Sequence, residues 1–286
     1  MRIRDVVRSK RRGFFFFLVV VIFIYFFHHY FLNRGKNEIL LIGLDGAGWN
    51  SILRLTEEGK LPNIKKIIDN GSWGNLGSLK LPISEVIWTT IATGKPPYAH
   101  GIINNLMEDP DTNQIILPTS NLRKVKAIWN ILSEHKKKVG VMGYQVSWPA
   151  EKVNGAMISI GANESGYFSS RCAEPPFESL CTEKIFDSFH EVRDIPAMLM
   201  EQEWVFKLDT FISSFSEYLL KKQNFDFFCL YFRGIDVLSH RYWEYMFPEV
   251  QGVSPEDISR YKDVINDYYI WCDNVIGDLL KIIDRN

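Results

Sequence analysis

Two nearly continuous apolar runs, EILLIGL at residues 38–44 and FDFFCLYF at residues 225–232, set the main limit on the fold of this chain. A strand with one face in water alternates apolar and polar residues, whereas a strand covered on both faces is apolar throughout. Segments with helical patterns, such as LPNIKKIIDNG and VFKLDTFISSFSEYLLKK, lie between the two runs. This alternation predicts an α/β fold, a three-layer α/β/α sandwich whose sheet is largely parallel.

Further strands are predicted at VGVMGY and AMISI, and further helices at SEVIWTTIATG and KAIWNILSEHKKK. The closing segment predicts one long helix, because apolar residues recur there at spacings of three or four. They are Ile258, Tyr261, Ile265, Tyr268, Cys272, Val275, Leu279 and Ile283. Such a helix normally leads into another strand, and none follows before Asn286. We therefore expect the fold to be incomplete at its C-terminal end.

A third apolar run covers the 19 residues from Phe14 to Leu32. That length is close to the ~20 residues that a helix needs to cross a bilayer. A cleaved signal peptide has a shorter apolar part followed by small residues, whereas this run closes on HHYF. Six basic residues precede the run and only Arg34 and Lys36 follow it closely, which favours a cytoplasmic N-terminus.

These features divide the chain into a basic cytoplasmic segment, a single-pass transmembrane anchor, a short linker and an extracytoplasmic domain. Their bounds are 1–12, 13–32, 33–37 and 38–286, with an inserted loop or cap at 161–195. The formal net charge is −1, and because the first twelve residues contribute +5, the rest carries −6. This balance does not favour a nucleic-acid groove.

Four cysteines lie in the part predicted to be exported, where disulfides persist. Cys172 and Cys181 flank a loop that contains proline and are the candidate pair. Cys229 lies in a predicted strand and is expected to be a buried thiol. The absence of a CxxC pair from the sequence gives no support to a structural zinc site.

Acidic residues follow both long apolar runs. Asp45 precedes the small residues GAG, which let a ligand approach the backbone, although an aspartate there also suits a turn or a helix cap. No Gly-Lys-Ser/Thr follows, so a phosphate-binding P-loop is not indicated. Asp236 and His240 are four residues apart and would share one helix face. They could bind a divalent metal such as zinc or form an ordinary surface pair.

Ser84 opens a predicted helix and allows two interpretations. It could cap the helix by accepting a hydrogen bond from a free amide. Alternatively, the helix N-terminus could bind a phosphate that the serine attacks with the help of a metal. His100, in PPYAHGI, is expected to order the turn after this helix, with support of the site as the alternative.

In this order and spacing, the stretches LDGAG, LPNIKKIIDNG, SEVIWTTIATG, PPYAHGIINN and YFRGIDVLSH resemble the type I phosphodiesterase and nucleotide pyrophosphatase family of the alkaline phosphatase superfamily. VGVMGYQVSWPAEKVNG is similar to the matching stretch of bacterial and archaeal members. The resemblance spans about residues 38–286. It implies an alkaline-phosphatase-type α/β/α sandwich and a phosphohydrolase with two metal ions, usually zinc.

By motif position, the resemblance implies roles for five residues. Asp45 would bind one metal, and Ser84 would be the nucleophile bound to that same metal. Asp236 and His240 would bind the other metal. Asn105 would donate a hydrogen bond to a phosphate oxygen.

Two departures from the family pattern bear on activity. Where many members have Thr-Phe-Pro-Asn, this chain has SEVI from Ser84 onward, so the substrate class is not implied. The family's later Asp-His-Gly motif and final metal-binding histidine have no counterpart here, which leaves each metal only part of its ligands. We therefore expect the 286 residues alone to have low or no activity.

The sequence thus favours a membrane-anchored, extracytoplasmic phosphodiesterase or phosphohydrolase, present as its N-terminal portion. The alternative is a non-catalytic tethered domain that binds a phosphorylated ligand or a complementary C-terminal chain. Sulfatase chemistry is less favoured, because SEVIW lacks the Cys/Ser-x-Pro-x-Arg setting.

Overall fold

The sheet that the sequence predicts is the centre of the structure. This computed structural model describes residues 38–160, 173–175, 203–246 and 252–284. The strands in these ranges are β1 (Ile39–Leu44), β2 (Met107–Glu108), β3 (Ile115–Ile116), β4 (Val139–Met142), β5 (Gly155–Ile158), β6 (Ala173–Glu174) and β7 (Phe227–Phe232). The helices are α1 (Trp49–Glu57), α2 (Pro62–Asn70), α3 (Ser84–Thr93), α4 (Pro97–His100), α5 (Ile128–Glu134), α6 (Glu203–Lys222), α7 (Gly234–Tyr242), α8 (Pro255–Tyr261) and α9 (Val264–Ile283).

The main sheet has the strand order β1-β7-β4-β5-β6, in which only β6 runs antiparallel to its neighbour. In the register of β1 and β7, Leu44 lies opposite Phe232. Strands β2 and β3 form a separate antiparallel pair. The predicted α/β fold with a largely parallel sheet is therefore confirmed, and the carboxyl ends of β1, β7, β4 and β5 meet at one edge.

Strand β7 is buried along its whole length because both of its faces are covered. Phe228, Leu230 and Phe232 join a core that α6, α7 and α9 complete. Cys229 and Tyr231 point to the opposite core, which includes Trp129 of α5. Burying each such large apolar side chain contributes about 1.5–3 kcal/mol to stability. Helices on both faces account for the unbroken apolar pattern of this strand.

The predicted single closing helix is wrong in one respect, because the structure contains α8 and α9 with a turn between them at residues 262–263. Tyr261 stacks on Tyr242 and Tyr245, with ring centroids 5.3 and 5.1 Å apart. Ile265, only four residues later, is buried in the main core. Both helices therefore pack on the same core, and the turn at residues 262–263 divides the apolar stripe between them.

In the described ranges, no helix is both long and apolar enough to cross a membrane. The predicted anchor, residues 13–32, lies outside those ranges, as do Cys172, Cys181 and nearly all of the predicted insertion at 161–195. Cys229 is a buried free thiol, as predicted, and Cys272 is another.

Candidate active site

The ends of β1 and β7 bring two of the predicted metal ligands together. The backbone N–H of Asp45 donates to the carbonyl of Phe232 at 2.9 Å. Gly46 then turns with φ of 71°, and a Cβ built on it would lie 2.7 Å from the Cα of Asp236. Only glycine fits both this backbone conformation and this contact. The main chain at residues 45–46 therefore touches the helix that carries Asp236.

Two neutral donors hold the carboxylate of Asp45. Trp88 Nε1 donates to Oδ1 at 2.9 Å, and the Tyr231 hydroxyl donates to Oδ2 at 2.6 Å. Burial, reinforced by Asp45 itself, raises the pKa of Tyr231 well above its usual value, so the hydroxyl keeps the proton that it donates. Each carboxylate oxygen retains capacity to bind a cation. Because Trp88 belongs to α3, this contact also ties the helix that begins at Ser84 to the end of β1.

Asp236 and His240 lie one turn apart on α7, as their spacing predicts. His240 Nε2 is 3.6 Å from Asp236 Oδ1, and the side chains are 81% and 34% exposed, respectively. Burial raises the pKa of Asp236, and the negative charges of Asp45 and Glu85 add to the rise, whereas His240 opposes it. Three carboxylates thus act on one small volume at the carboxyl edge of the sheet.

Ser84 is the first residue of α3, and Ile83 occupies the N-cap position with no side-chain cap. The capping interpretation of Ser84 is therefore not what the structure shows. Val86 and Ile87 donate their backbone N–H groups to the carbonyl of Ile83. Within the described ranges, the N–H groups of Ser84 and Glu85 make no hydrogen bond. Free amides at a helix N-terminus favour an anion.

Asp209 on α6 supports α7 and was not identified from the sequence. Its Oδ2 accepts the backbone N–H groups of Arg233 and Gly234 at 3.0 and 2.9 Å, and the Tyr268 hydroxyl at 2.9 Å. Burial raises the pKa of Asp209 to about 6, although the neighbouring Arg233 opposes the shift. The carboxylate therefore fixes the start of the helix that presents Asp236. In the sequence, the position of this aspartate within the largely apolar segment VFKLDTFIS could have indicated a buried, hydrogen-bonded carboxylate.

His100 is fully buried and orders the turn after α4. Its Nδ1 accepts the backbone N–H of Ile102 at 3.1 Å, so Nε2 carries the proton and donates to Thr90 Oγ1 at 2.9 Å. Burial lowers the pKa of His100, and Arg123 adds to the effect. These contacts agree with the structural role that the sequence predicted.

Contacts do not link every predicted site residue. Asn105 is exposed, and its backbone N–H donates to Asn104 Oδ1 at 2.9 Å. No described contact joins it to the carboxylates, so its role stays a prediction. Among the described residues, no group of three or more His, Cys, Asp or Glu side chains forms a metal cluster. The predicted metal ligands instead form a pair, Asp236 and His240, and Asp45 lies next to that pair.

A cavity of about 660 Å³ opens beside these residues. Most of its lining comes from residues 109–122, in and after the β2–β3 pair, and Gln145, Ile160 and Arg233, which follow β4, β5 and β7, contribute the part next to the sheet. Glu85, next to Ser84, also lines it. Ligands of α/β folds bind at this end of the strands, and the volume is in the ordinary range of about 300–1,000 Å³ for ligand pockets.

Solved structures with a similar fold include two complexes of phosphonoacetate hydrolase. Phosphonoacetate hydrolase from Sinorhizobium meliloti 1021 in complex with phosphonoformate matches with a TM-score of 0.55 at 17% identity, covering 86% of this chain and 54% of that one. The complex of the same enzyme with phosphonoacetate matches with a TM-score of 0.53 at 18% identity, and the match covers 86% of this chain and 54% of that one. An inactive variant of murine ectonucleotide pyrophosphatase / phosphodiesterase 5 in complex with AMP matches with a TM-score of 0.48 at 18% identity. That match covers 87% of this chain and 53% of the murine one.

The chain spans about half the length of these structures. The first two likenesses support the α/β fold and, at such low identity, nothing finer. A comparison with curated protein sequences found no match. The sequence profile of type I phosphodiesterases / nucleotide pyrophosphatases matches residues 39–286, and this chain therefore belongs to that family.

Proposed function

We propose that this chain provides the metal-dependent phosphate site of a phosphoric ester hydrolase, with Ser84 as the nucleophile. The observation that carries the proposal is the contact between the Asp45–Gly46 turn and Asp236, beside the open N-terminus of α3. Trp88 connects the two parts, because it belongs to α3 and donates to Asp45. Family membership supports a phosphoester as the substrate.

The residues present fit divalent cations. In the described ranges, no lysine or arginine pairs with Asp45 or Asp236, and burial, together with the charges of Asp45 and Glu85, raises the pKa of Asp236. Like charges that face each other in this way are relieved by a bound cation. Oxygen and imidazole donors together suit zinc, which we propose as the metal.

Asp45 and Ser84 would hold one ion, and Asp236 and His240 would hold the other. When bound, two such ions lower the pKa of the serine hydroxyl and neutralise charge on the phosphate. Water, substrate or groups outside the described residues would fill the remaining coordination positions.

In the proposed reaction, Ser84 Oγ forms a bond to phosphorus as the bond to the leaving oxygen breaks. Water then releases the phosphoryl group from the serine. The backbone N–H groups of Ser84 and Glu85 are available to donate to a phosphate oxygen. Asn105 is proposed to donate a further hydrogen bond to the same group.

We also propose that residues 13–32 anchor the protein in the membrane and place the catalytic domain outside the cytoplasm. The support is the sequence alone: an apolar run of suitable length with an excess of basic residues before it.

One observation favours a second candidate function. Among the described residues, no three His, Cys, Asp or Glu side chains form a cluster that could hold a metal ion. A domain that binds a phosphorylated ligand or a complementary C-terminal chain, without hydrolysing anything, fits that finding.

Hydrolysis of bis(p-nitrophenyl) phosphate by the detergent-solubilised full chain with added Zn²⁺ tests the proposal. Since Ser84 caps nothing, Ser84→Ala should change the free energy of unfolding by less than about 0.5 kcal/mol. It should nevertheless reduce any Zn²⁺-dependent rate of the wild type to the background rate, and chelation should do the same.

Ser254→Ala is the matched control, because Ser254 is a true N-cap that accepts the N–H of Asp257 at 3.0 Å. It should cost about 1 kcal/mol of stability and leave the rate unchanged. Full activity in Ser84→Ala would refute the proposal that Ser84 is the nucleophile. A wild type that binds the ester without cleaving it would support the second candidate.

A further inference from the structure

We infer that the cavity beside Ser84 binds a second anionic group of the substrate, a carboxylate or a phosphate, through Arg233. The inference rests on the proposed function, since it assigns the part of the ester beyond the reacting phosphate. It concerns substrate recognition and not the chemical step.

Arg233 is placed at the inner edge of the site by its position in the fold. It follows β7 directly and precedes α7, so it lies between the strand end beside Asp45 and the helix that carries Asp236. Its backbone N–H is held by Asp209 at 3.0 Å, and its guanidinium lies over the Tyr231 ring, 5.5 Å from the centroid. The side chain therefore has a fixed base and lines the cavity.

The guanidinium has capacity that the described residues do not use. Arg233 forms no ion pair in the described ranges, and its Nε is buried without a hydrogen-bond partner. Because the buried Nε is closed to the cavity, the terminal Nη groups are the donors that could meet a ligand there. The planar fork of a guanidinium matches carboxylate and phosphate oxygens, which accept two parallel hydrogen bonds from it.

The acidic residues of the lining already have partners or face water. Glu85 accepts a hydrogen bond from Gln145 Nε2 at 2.9 Å. Asp109 accepts the backbone N–H of Asp111 at 2.8 Å, and Asp111 itself is exposed. Arg233 lies close enough to the buried Asp209 to oppose its pKa shift, but it forms no ion pair in the described ranges, and it is therefore the cation of the lining that a charged ligand could bind.

The size of the cavity agrees with a ligand larger than phosphate. Its volume of about 660 Å³ suits a small organic molecule, whereas a phosphate group alone would fill a small part of it. Trp148 and Trp204 also line it and offer apolar surface to an organic group. The substrate class that fits is a phosphate ester whose organic part carries a second acidic group.

Isothermal titration calorimetry tests this inference. It measures the affinity of the full chain for three phosphonates in the presence of Zn²⁺. Methylphosphonate has one anionic group, phosphonoacetate adds a carboxylate, and methylenediphosphonate adds a second phosphonate. We expect at least one of the latter two to bind at least about tenfold more tightly than methylphosphonate. The tighter of the two identifies carboxylate or phosphate as the second group.

Arg233→Gln should remove this preference and leave methylphosphonate binding within about twofold. Arg233→Lys keeps the positive charge but not the planar guanidinium, and should therefore keep part of the preference for the second anionic group. It also keeps the inference testable if the glutamine variant does not fold. Arg260→Gln is the matched control, because Arg260 also lies over a tyrosine ring, at 5.2 Å from the Tyr261 centroid, but is exposed and outside the cavity lining.

Equal affinity of the wild type for all three phosphonates, or an unchanged preference in Arg233→Gln, would overturn the inference. The same titrations in the Ser84→Ala background separate the two proposals. Binding that depends on Arg233 does not require Ser84 to react, and loss of hydrolysis in Ser84→Ala does not require Arg233 to bind.

Discussion

The buried carboxylate of Asp209 should make this protein less stable as the pH rises, and Asp209→Asn should remove that loss. Burial raises the pKa of Asp209 from an ordinary value of 3.8 to about 6. Because the folded state binds this proton more tightly than the unfolded chain does, its contribution to stability is fully present below the unfolded pKa and is lost as the pH rises through about 6. Roughly two pKa units correspond to about 3 kcal/mol.

Urea unfolding of the wild type and of Asp209→Asn near pH 4, 6 and 8 isolates this contribution, because the other groups titrate alike in both proteins. The asparagine oxygen can still accept the N–H of Gly234, so α7 keeps its cap. Relative to the wild type, the variant should gain about 3 kcal/mol between the lowest and the highest pH. Parallel stability curves for the two proteins would refute this account of Asp209.

Two further predictions concern buried polar groups. Asp273→Ala removes the α9 carboxylate that accepts the N–H groups of Asn63 and Ile64 at 3.2 and 2.7 Å, so urea unfolding should show a loss of about 2–4 kcal/mol. Asp278→Ala is the control, because Asp278 is exposed on the same helix. An equally small change in the free energy of unfolding in both variants would contradict a stabilising role of Asp273 at the start of α2. Burial lowers the pKa of His100, so the wild type should lose stability as the pH falls below about 6.5. Thermal melts at pH 7.5 and 5 should show a smaller acid-side loss in His100→Gln, and equal losses would count against the buried neutral imidazole.

The sequence predicted those parts of the fold that depend on local pattern and the general rules of parallel sheets. The run before Arg233 was identified as a buried strand because helices cover both of its faces. The run before Asp45 is a strand, as predicted, but it lies at the edge of the described sheet, and Gly43 is its one buried residue. The meeting of Asp45 and Asp236 followed from parallel strands, whose carboxyl ends share one edge.

Features that depend on distant contacts were beyond local reasoning. Asp209 bonds Gly234 and Tyr268, which are 25 and 59 residues away, and no local pattern specifies those partners. Ser84 resembled a helix cap by residue type, yet Ile83 takes the cap position. The turn at residues 262–263 interrupts an apolar stripe that is continuous in sequence, and the contacts of Tyr261 with Tyr242 and Tyr245 are not visible in that local pattern.

The contact at Gly46 has a consequence for engineering. Because main-chain atoms of Gly46 and Asp236 meet directly, the spacing between the two halves of the site is set by the backbone and not by the side chains that face the ligand. If the proposed metal site is correct, replacing Asp45 or Asp236 by another donor would therefore alter which ion is preferred while leaving that spacing in place. A single methyl added at Gly46 would press on the Cα and Cβ of Asp236, and would move the turn and the helix apart.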